Sequence, residues 1–190
     1  MKTAFSLLRP LLLIAALVAA AAGCSQTSAG AYADRYTAAL ERLPGTTQVT
    51  PAMTERFVAF FSHEGSADPG DIYGEPLYFS DTLVTTDERT VALRHLRRMR
   101  DAAGSLQVHV LDELVRGADV YLIWQMQASF KALGREADSN TVGVTHLRFD
   151  EDGRIILHQD FWDSAEGFYG HVPVLGGLIN TVKGRFADAD

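Results

Sequence analysis

The sequence predicts an α+β domain in which helices pack on one face of a curved antiparallel sheet. In the first half of the chain apolar residues recur at helical spacing, whereas from Ser105 onward they alternate with polar ones through several long segments. Composition agrees: of 190 residues 47% are hydrophobic and 22% charged, with a formal net charge of −7, the proportions of a globular domain.

The first element is an address. Residues 1–23 carry Lys2 and Arg9, then an apolar run at residues 11–22, too short for a bilayer span of about 20 residues but of the length of a signal-peptide core. Ala21-Ala22-Gly23-Cys24 resembles the lipobox of bacterial lipoproteins, where the cysteine receives a diacylglyceryl group and becomes the new N-terminus. Cys24 is the sole cysteine, so no intramolecular disulfide competes for it. The resemblance, with Ser25 rather than aspartate after the cysteine, implies a lipid-anchored protein of the bacterial cell envelope at the outer membrane. Residues 24–49 form the anchor, a small polar tether (residues 25–30) and a short helix, and residues 50–186 form the folded domain.

That helix is read from Tyr32, Tyr36, Ala39, Leu40 and Leu43 and stops at Pro44-Gly45. Thr50-Pro51 opens a second helix with the stripe Met53, Phe57, Phe60 and Phe61. Residues 65–74 read as a loop, followed by a short extended segment at residues 76–81. A third helix spans about residues 88–103, with Ala92, Leu96, Met99 and Ala103 on one face and Arg94, Arg97, Arg98 and Arg100 around it. Those arginines are either an anion site or a solvated helix face, the default for a charge run.

The strands follow. Leu106, Val108 and Val110 alternate with Gln107 and His109; Arg116-Gly-Ala-Asp119 turns into residues 120–130, where Val120, Leu122, Trp124, Met126 and Phe130 share a face. Gly134 marks the next bend, residues 141–149 the third strand, Asp150-Glu-Asp-Gly153 a hairpin, and residues 154–163 the fourth. The tail from Phe168 is apolar, with Val174, Leu178, Ile179 and Val182 approximating a helical stripe. It reads as a lid, a dimer contact or a membrane-leaning segment, the lid being favoured because Lys183 and Arg185 are too few for a lipid-binding face.

Over residues 50–163, the helix order, Phe79-Ser-Asp81, Gly143-Val-Thr-His-Leu-Arg-Phe-Asp150, Asp152-Gly153-Arg154 and His158-Gln-Asp-Phe-Trp-Asp163 together resemble the nuclear transport factor two superfamily. Its members include SnoaL-like polyketide cyclases, ketosteroid isomerases, scytalone dehydratase and limonene epoxide hydrolase. The resemblance implies a cone-shaped sheet wrapped around the N-terminal helices, with an apolar pocket of steroid, polyketide or terpene size. It also implies that Asp160 is a proton-shuttling base with His158 as its neighbour, and that Asp81 occupies the place of the isomerases' aspartate. No tyrosine lies on the helix of Phe57 to act as the isomerases' oxyanion donor.

Alternation alone puts His158, Asp160 and Trp162 on one face. Two residues satisfying each other's hydrogen bonds would give the same pattern without chemistry. For Asp81 the alternatives are a base desolvated among Tyr78, Phe79 and Trp124, or a loop cap beside Thr82. His146 joins the group only if the hairpin loop is Glu151-Asp-Gly153; a four-residue loop from Asp150 turns it to the other side. Pocket-lining candidates are therefore Phe57, Tyr78, Trp124, His146 and Trp162.

The acidic balance and lack of a basic stripe exclude nucleic acid as a natural partner. No metal-ligand spacing, nucleophile elbow or phosphate loop is present, so no cofactor is expected. Two functions remain: a lipid-anchored domain binding an apolar small molecule, or a cofactor-independent isomerase, cyclase or dehydratase using Asp160, His158 and Asp81. An interaction module that forms a homodimer through an open sheet face is a third.

Overall fold

The computed structural model describes residues 31–61 and 68–187; the signal segment, Cys24 and His63 lie outside the described residues. The chain divides into a unit ending at Thr37 and a larger unit, Ala38–Asp190. The described part of the first is the opening of helix α1 (Ala31–Arg42).

In the larger unit the end of α1 buries Ala39, and Leu43 is buried just beyond it. The Arg148 guanidinium donates to the Leu40 and Leu43 carbonyls, acceptors that a helix end leaves without intrahelical partners. Helix α2 (Pro51–Phe61) starts on a proline, where a missing N–H costs nothing, and buries Thr54, Phe57 and Phe60. One turn, α3 (Pro69–Ile72), is capped by the Asp68 carboxylate. Then come β1 (Tyr73–Ser80), β2 (Thr85–Thr86), α4 (Arg89–Ala102), β3 (Ala103–Arg116), β4 (Asp119–Ala132), β5 (Arg135–Phe149) and β6 (Ile155–Trp162). A turn α5 (Ser164–Gly167), a 3-10 turn (Tyr169–His171) and helix α6 (Leu175–Ala187) end the chain. The strand expected at residue 76 begins three residues earlier, so Tyr73 and Gly74 belong to the sheet rather than to a loop.

The six strands order as β2-β1-β6-β5-β4-β3. The expected meander of four antiparallel strands is present as β3 to β6, and β1 adds to the free edge of β6 in parallel, so the sheet is mixed. At the β4–β5 hairpin Leu133 and Gly134 both have positive φ (48° and 83°), the two-residue turn whose twist matches paired strands. At the β5–β6 hairpin the Asp150 carboxylate accepts from the Asp152 and Arg154 amides, and Gly153 takes φ 74°. This geometry pairs Leu147 with His158 and His146 with Gln159, which settles the register.

The core lies between the inner face of the sheet (Phe79, Leu122, Leu147, Phe149, Ile155) and the helical residues Phe57, Phe60, Ala92 and Leu96. Each large side chain buried there contributes about 1.5–3 kcal/mol of transfer free energy. Asp163 caps α5 by accepting from the Glu166 amide. Among the described residues no helix is long and apolar enough to cross a membrane.

Candidate functional site

A cavity of about 420 Å³, within the size range of small-molecule sites, opens between the inner face of the sheet and helices α2 and α4. Its wall follows from the two periodicities. Period two brings Trp124, Met126, Ala128 and Phe130 of β4 and His158, Asp160 and Trp162 of β6 to one side; the helical period brings Phe57 and Phe61 of α2 and His95, Met99 and Ala102 of α4 to the other. Two glycines make room for the indoles. A Cβ on Gly143 would overlap the Trp124 ring, and one on Gly167 would overlap Trp162. The mouth is bounded by Phe168, ahead of α6; Leu178, Val182 and Phe186 of α6 are exposed, so the cover comes from α5 and the segment after it.

Within this apolar wall stand two histidine–carboxylate pairs. In the first, His158 Nε2 lies 2.9 Å from Asp160 Oδ1 and His158 Nδ1 lies 2.7 Å from the Tyr73 hydroxyl. A carboxylate only accepts, so Nε2 carries the hydrogen and donates to Asp160, while Nδ1 accepts from Tyr73. Burial, with the Asp160 and Asp81 charges behind it, pushes the Tyr73 phenol well above its ordinary range, so its proton stays available for that bond. Asp160 Oδ1 also accepts from Thr145 Oγ1 at 2.6 Å, and Thr145 in turn accepts from Trp124 Nε1 at 2.8 Å. Asp160 Oδ2 makes no hydrogen bond to any described residue, and the carboxylate lines the cavity. The pair therefore presents one fixed, unengaged carboxylate oxygen.

The second pair is Asp81 with His95, Oδ2 to Nε2. Asp81 Oδ1 accepts from the Leu83 and Val84 amides, and its backbone carbonyl accepts from Trp162 Nε1. Asp81 is thus a loop cap and a cavity carboxylate at once, with both oxygens occupied. His95 Nδ1 has no partner among the described residues. The Phe79 ring packs edge-on against both imidazoles, 5.9 Å from His95 and 4.8 Å from His158.

His158, Asp160, Asp81, Trp124, Trp162 and Phe57 therefore converge, and two expected residues do not. Tyr78 is fully buried on the other face of β1, where its hydroxyl donates to Gln159; alternation delivers Phe79 to the cavity instead. His146 is turned to that opposite face by the register. There it bonds Asp119 at 2.8 Å beside Arg148 and stacks on Tyr121. Burial, partly countered by Asp119, lowers the His146 pKa below the ordinary 6.5. For Asp119 burial pulls upward, and the bonds from Arg148 and His146 outweigh it, leaving its pKa below 3.8.

Both shifts cost stability in acid. Below about pH 6.5 the unfolded chain protonates His146 while the fold resists, and stability falls until the lowered folded value is passed. The Asp119 contribution, intact above the ordinary carboxylate range, is lost as pH drops through its own lowered value. His146→Gln is expected to flatten the first of these declines in denaturant unfolding between about pH 7 and pH 5. An unchanged slope would contradict the assignment.

Sequence reasoning missed three partners. His95 was hidden in a helix read for its arginines, although its spacing from Met99 and Ala102 puts it on their face. Tyr73 lies in a breaker-rich stretch that reads as a loop. Thr145 carries no signal beyond inward alternation. Among the described residues no group of three His, Cys, Asp or Glu side chains is placed to hold a metal.

No protein-family profile matches the sequence, nor does any curated protein sequence. Solved structures do match in fold. A protein from Shewanella denitrificans described as a SnoaL-like polyketide cyclase is 16% identical, with a TM-score of 0.52 over 62% of this chain and 94% of that one. A protein of ketosteroid isomerase-like fold from Catenulispora acidiphila, in complex with trimethylamine, is 15% identical, with a TM-score of 0.52 over 63% and 91%. An LEH-like epoxide hydrolase of M. tuberculosis is 20% identical, with a TM-score of 0.50 over 70% and 94%. The shared feature is the α+β fold with its curved sheet.

Proposed function

We propose that the domain is a cofactor-independent proton-transfer enzyme acting on an apolar small molecule, and that Cys24 anchors it by lipid to the bacterial cell envelope. The supporting observation is the unengaged Oδ2 of Asp160 in an apolar cavity, on a carboxylate whose other oxygen is held by Thr145 and by a histidine fixed in one tautomer. A general base needs this arrangement: an oriented lone pair, little water, and no competing donor. Asp160 Oδ2 removes a proton from a carbon next to a carbonyl. His95, held to Asp81 through Nε2, donates a proton from Nδ1 to the carbonyl oxygen as that C–H bond breaks, and takes it back as Asp160 delivers its proton to a new carbon. His158 and Tyr73 are positioning residues that hold Asp160. Binding alone would require none of these aligned lone pairs.

The test uses ketones of steroid and terpenoid type in D2O, with deuterium uptake followed by mass spectrometry. Uptake faster with the protein than with an Asp160→Asn variant supports the reading, and no difference across the panel overturns it. For the location, Cys24→Ser is expected to move the protein from the membrane to the soluble fraction and to abolish incorporation of labelled fatty acid. Continued membrane fractionation of the variant would defeat the anchor.

A further inference from the structure

The cavity is long, and charged residues of both signs line it. Its β4 wall runs from Trp124, beside Thr145 and Asp160, to Phe130, about 20 Å of extended chain. The carboxylates Asp81 and Asp160 line it, the latter at the Trp124 end, and among the described residues the only Lys or Arg side chains lining it, Arg98 and Lys131, are exposed. Lys131 pairs with Glu136. The other arginines named on α4 are engaged or lie off the cavity: Arg97 pairs with Asp68 and Arg100 lies over the Phe60 ring. Arg98 makes no ion pair or hydrogen bond to a described residue.

A second observation lies on the sheet wall, toward Phe130. Ser139 lines the cavity opposite Ala128, and its Oγ is buried with no hydrogen-bond partner. A buried hydroxyl without a partner is costly, so this position suits a polar atom from something bound. Ser139 and Thr145 lie on one strand face, again about 20 Å apart.

We propose that the cavity takes an elongated apolar acid with its head outward, the anionic group at Arg98 and Ser139 and the chain along Trp124 to Phe130. The reverse orientation would press an anion against Asp160. Resting on the proton-transfer reading, this places the reacting carbon far along the chain from the acid group, beside Asp160.

The protein's two tryptophans, Trp124 and Trp162, both line the cavity, so contact quenching reports on it alone. The full chain is titrated with 9,10-dibromostearate, with the corresponding dibromo alcohol and with 6-bromohexanoate. The long acid is expected to quench most tightly. Arg98→Gln should weaken it about fivefold while leaving the alcohol unchanged, and Ser139→Ala should weaken the acid as well. Equal binding of acid and alcohol, an equal effect of Arg98→Gln on both, or a short acid binding as tightly as the long one would overturn the proposal. Quenching by no long probe would overturn it together with the apolar-ligand reading. Head-outward binding without deuterium exchange would leave this inference standing and remove only the catalytic one.

Discussion

Replacing Asp160 with asparagine is expected to slow proton transfer by about 10²–10⁴-fold while changing stability little. Asparagine retains an oxygen for Thr145 and for His158 Nε2, so the hydrogen bonds to Oδ1 survive. What disappears is the basic lone pair on Oδ2, replaced by an amide that donates. The deuterium-exchange rate and the urea midpoint, measured on the same preparation, separate the two roles. If the variant instead lost about 1–3 kcal/mol of stability, with exchange falling only in proportion to folded protein, Asp160 would be a structural partner of His158 and not a base.

Gly143→Ala is expected to destabilise the domain by about 1–3 kcal/mol, because the new methyl would fall inside the Trp124 ring and against Trp162 Cβ. Neither neighbour is a flexible side-chain end. The indole has to move, and moving it breaks its 2.8 Å bond to Thr145, which holds Asp160. The variant should therefore show a lower melting temperature, altered tryptophan emission and slower exchange together. A drop in stability with unchanged emission would mean that the backbone yields and the ring does not.

The fold was legible because it rests on periodicity. The stripe of Phe57 and Phe60 and the alternation from Leu106 to Phe130 each state which face is buried, and the structure turns those faces inward. The pair His158 and Asp160 was legible for the same reason, since two residues on one strand face keep their relation whatever the strand pairs with. Relations between strands were not. Whether His146 faces His158 depends on a single residue of loop length, and Tyr73 reaches His158 only because β1 lies in parallel beside β6, a pairing that no local pattern records. His95 is masked by its neighbours, since five arginines dominate a helix whose inner face is set by tertiary packing.

That parallel pairing also bears on the order of folding. The hydrogen bond between Tyr73 and His158 joins residues 85 apart, and β1 finds its partner strand only after β3, β4 and β5 have been made. Local hairpins form quickly, whereas contacts this distant carry the loop-closure entropy of the whole intervening chain and tend to slow the search. Until β6 arrives, the aromatic faces of β1 and α2 lack their cover, a state prone to association. The Tyr73–His158–Asp160 linkage therefore closes late, and a chain interrupted before β6 has hairpins but no site.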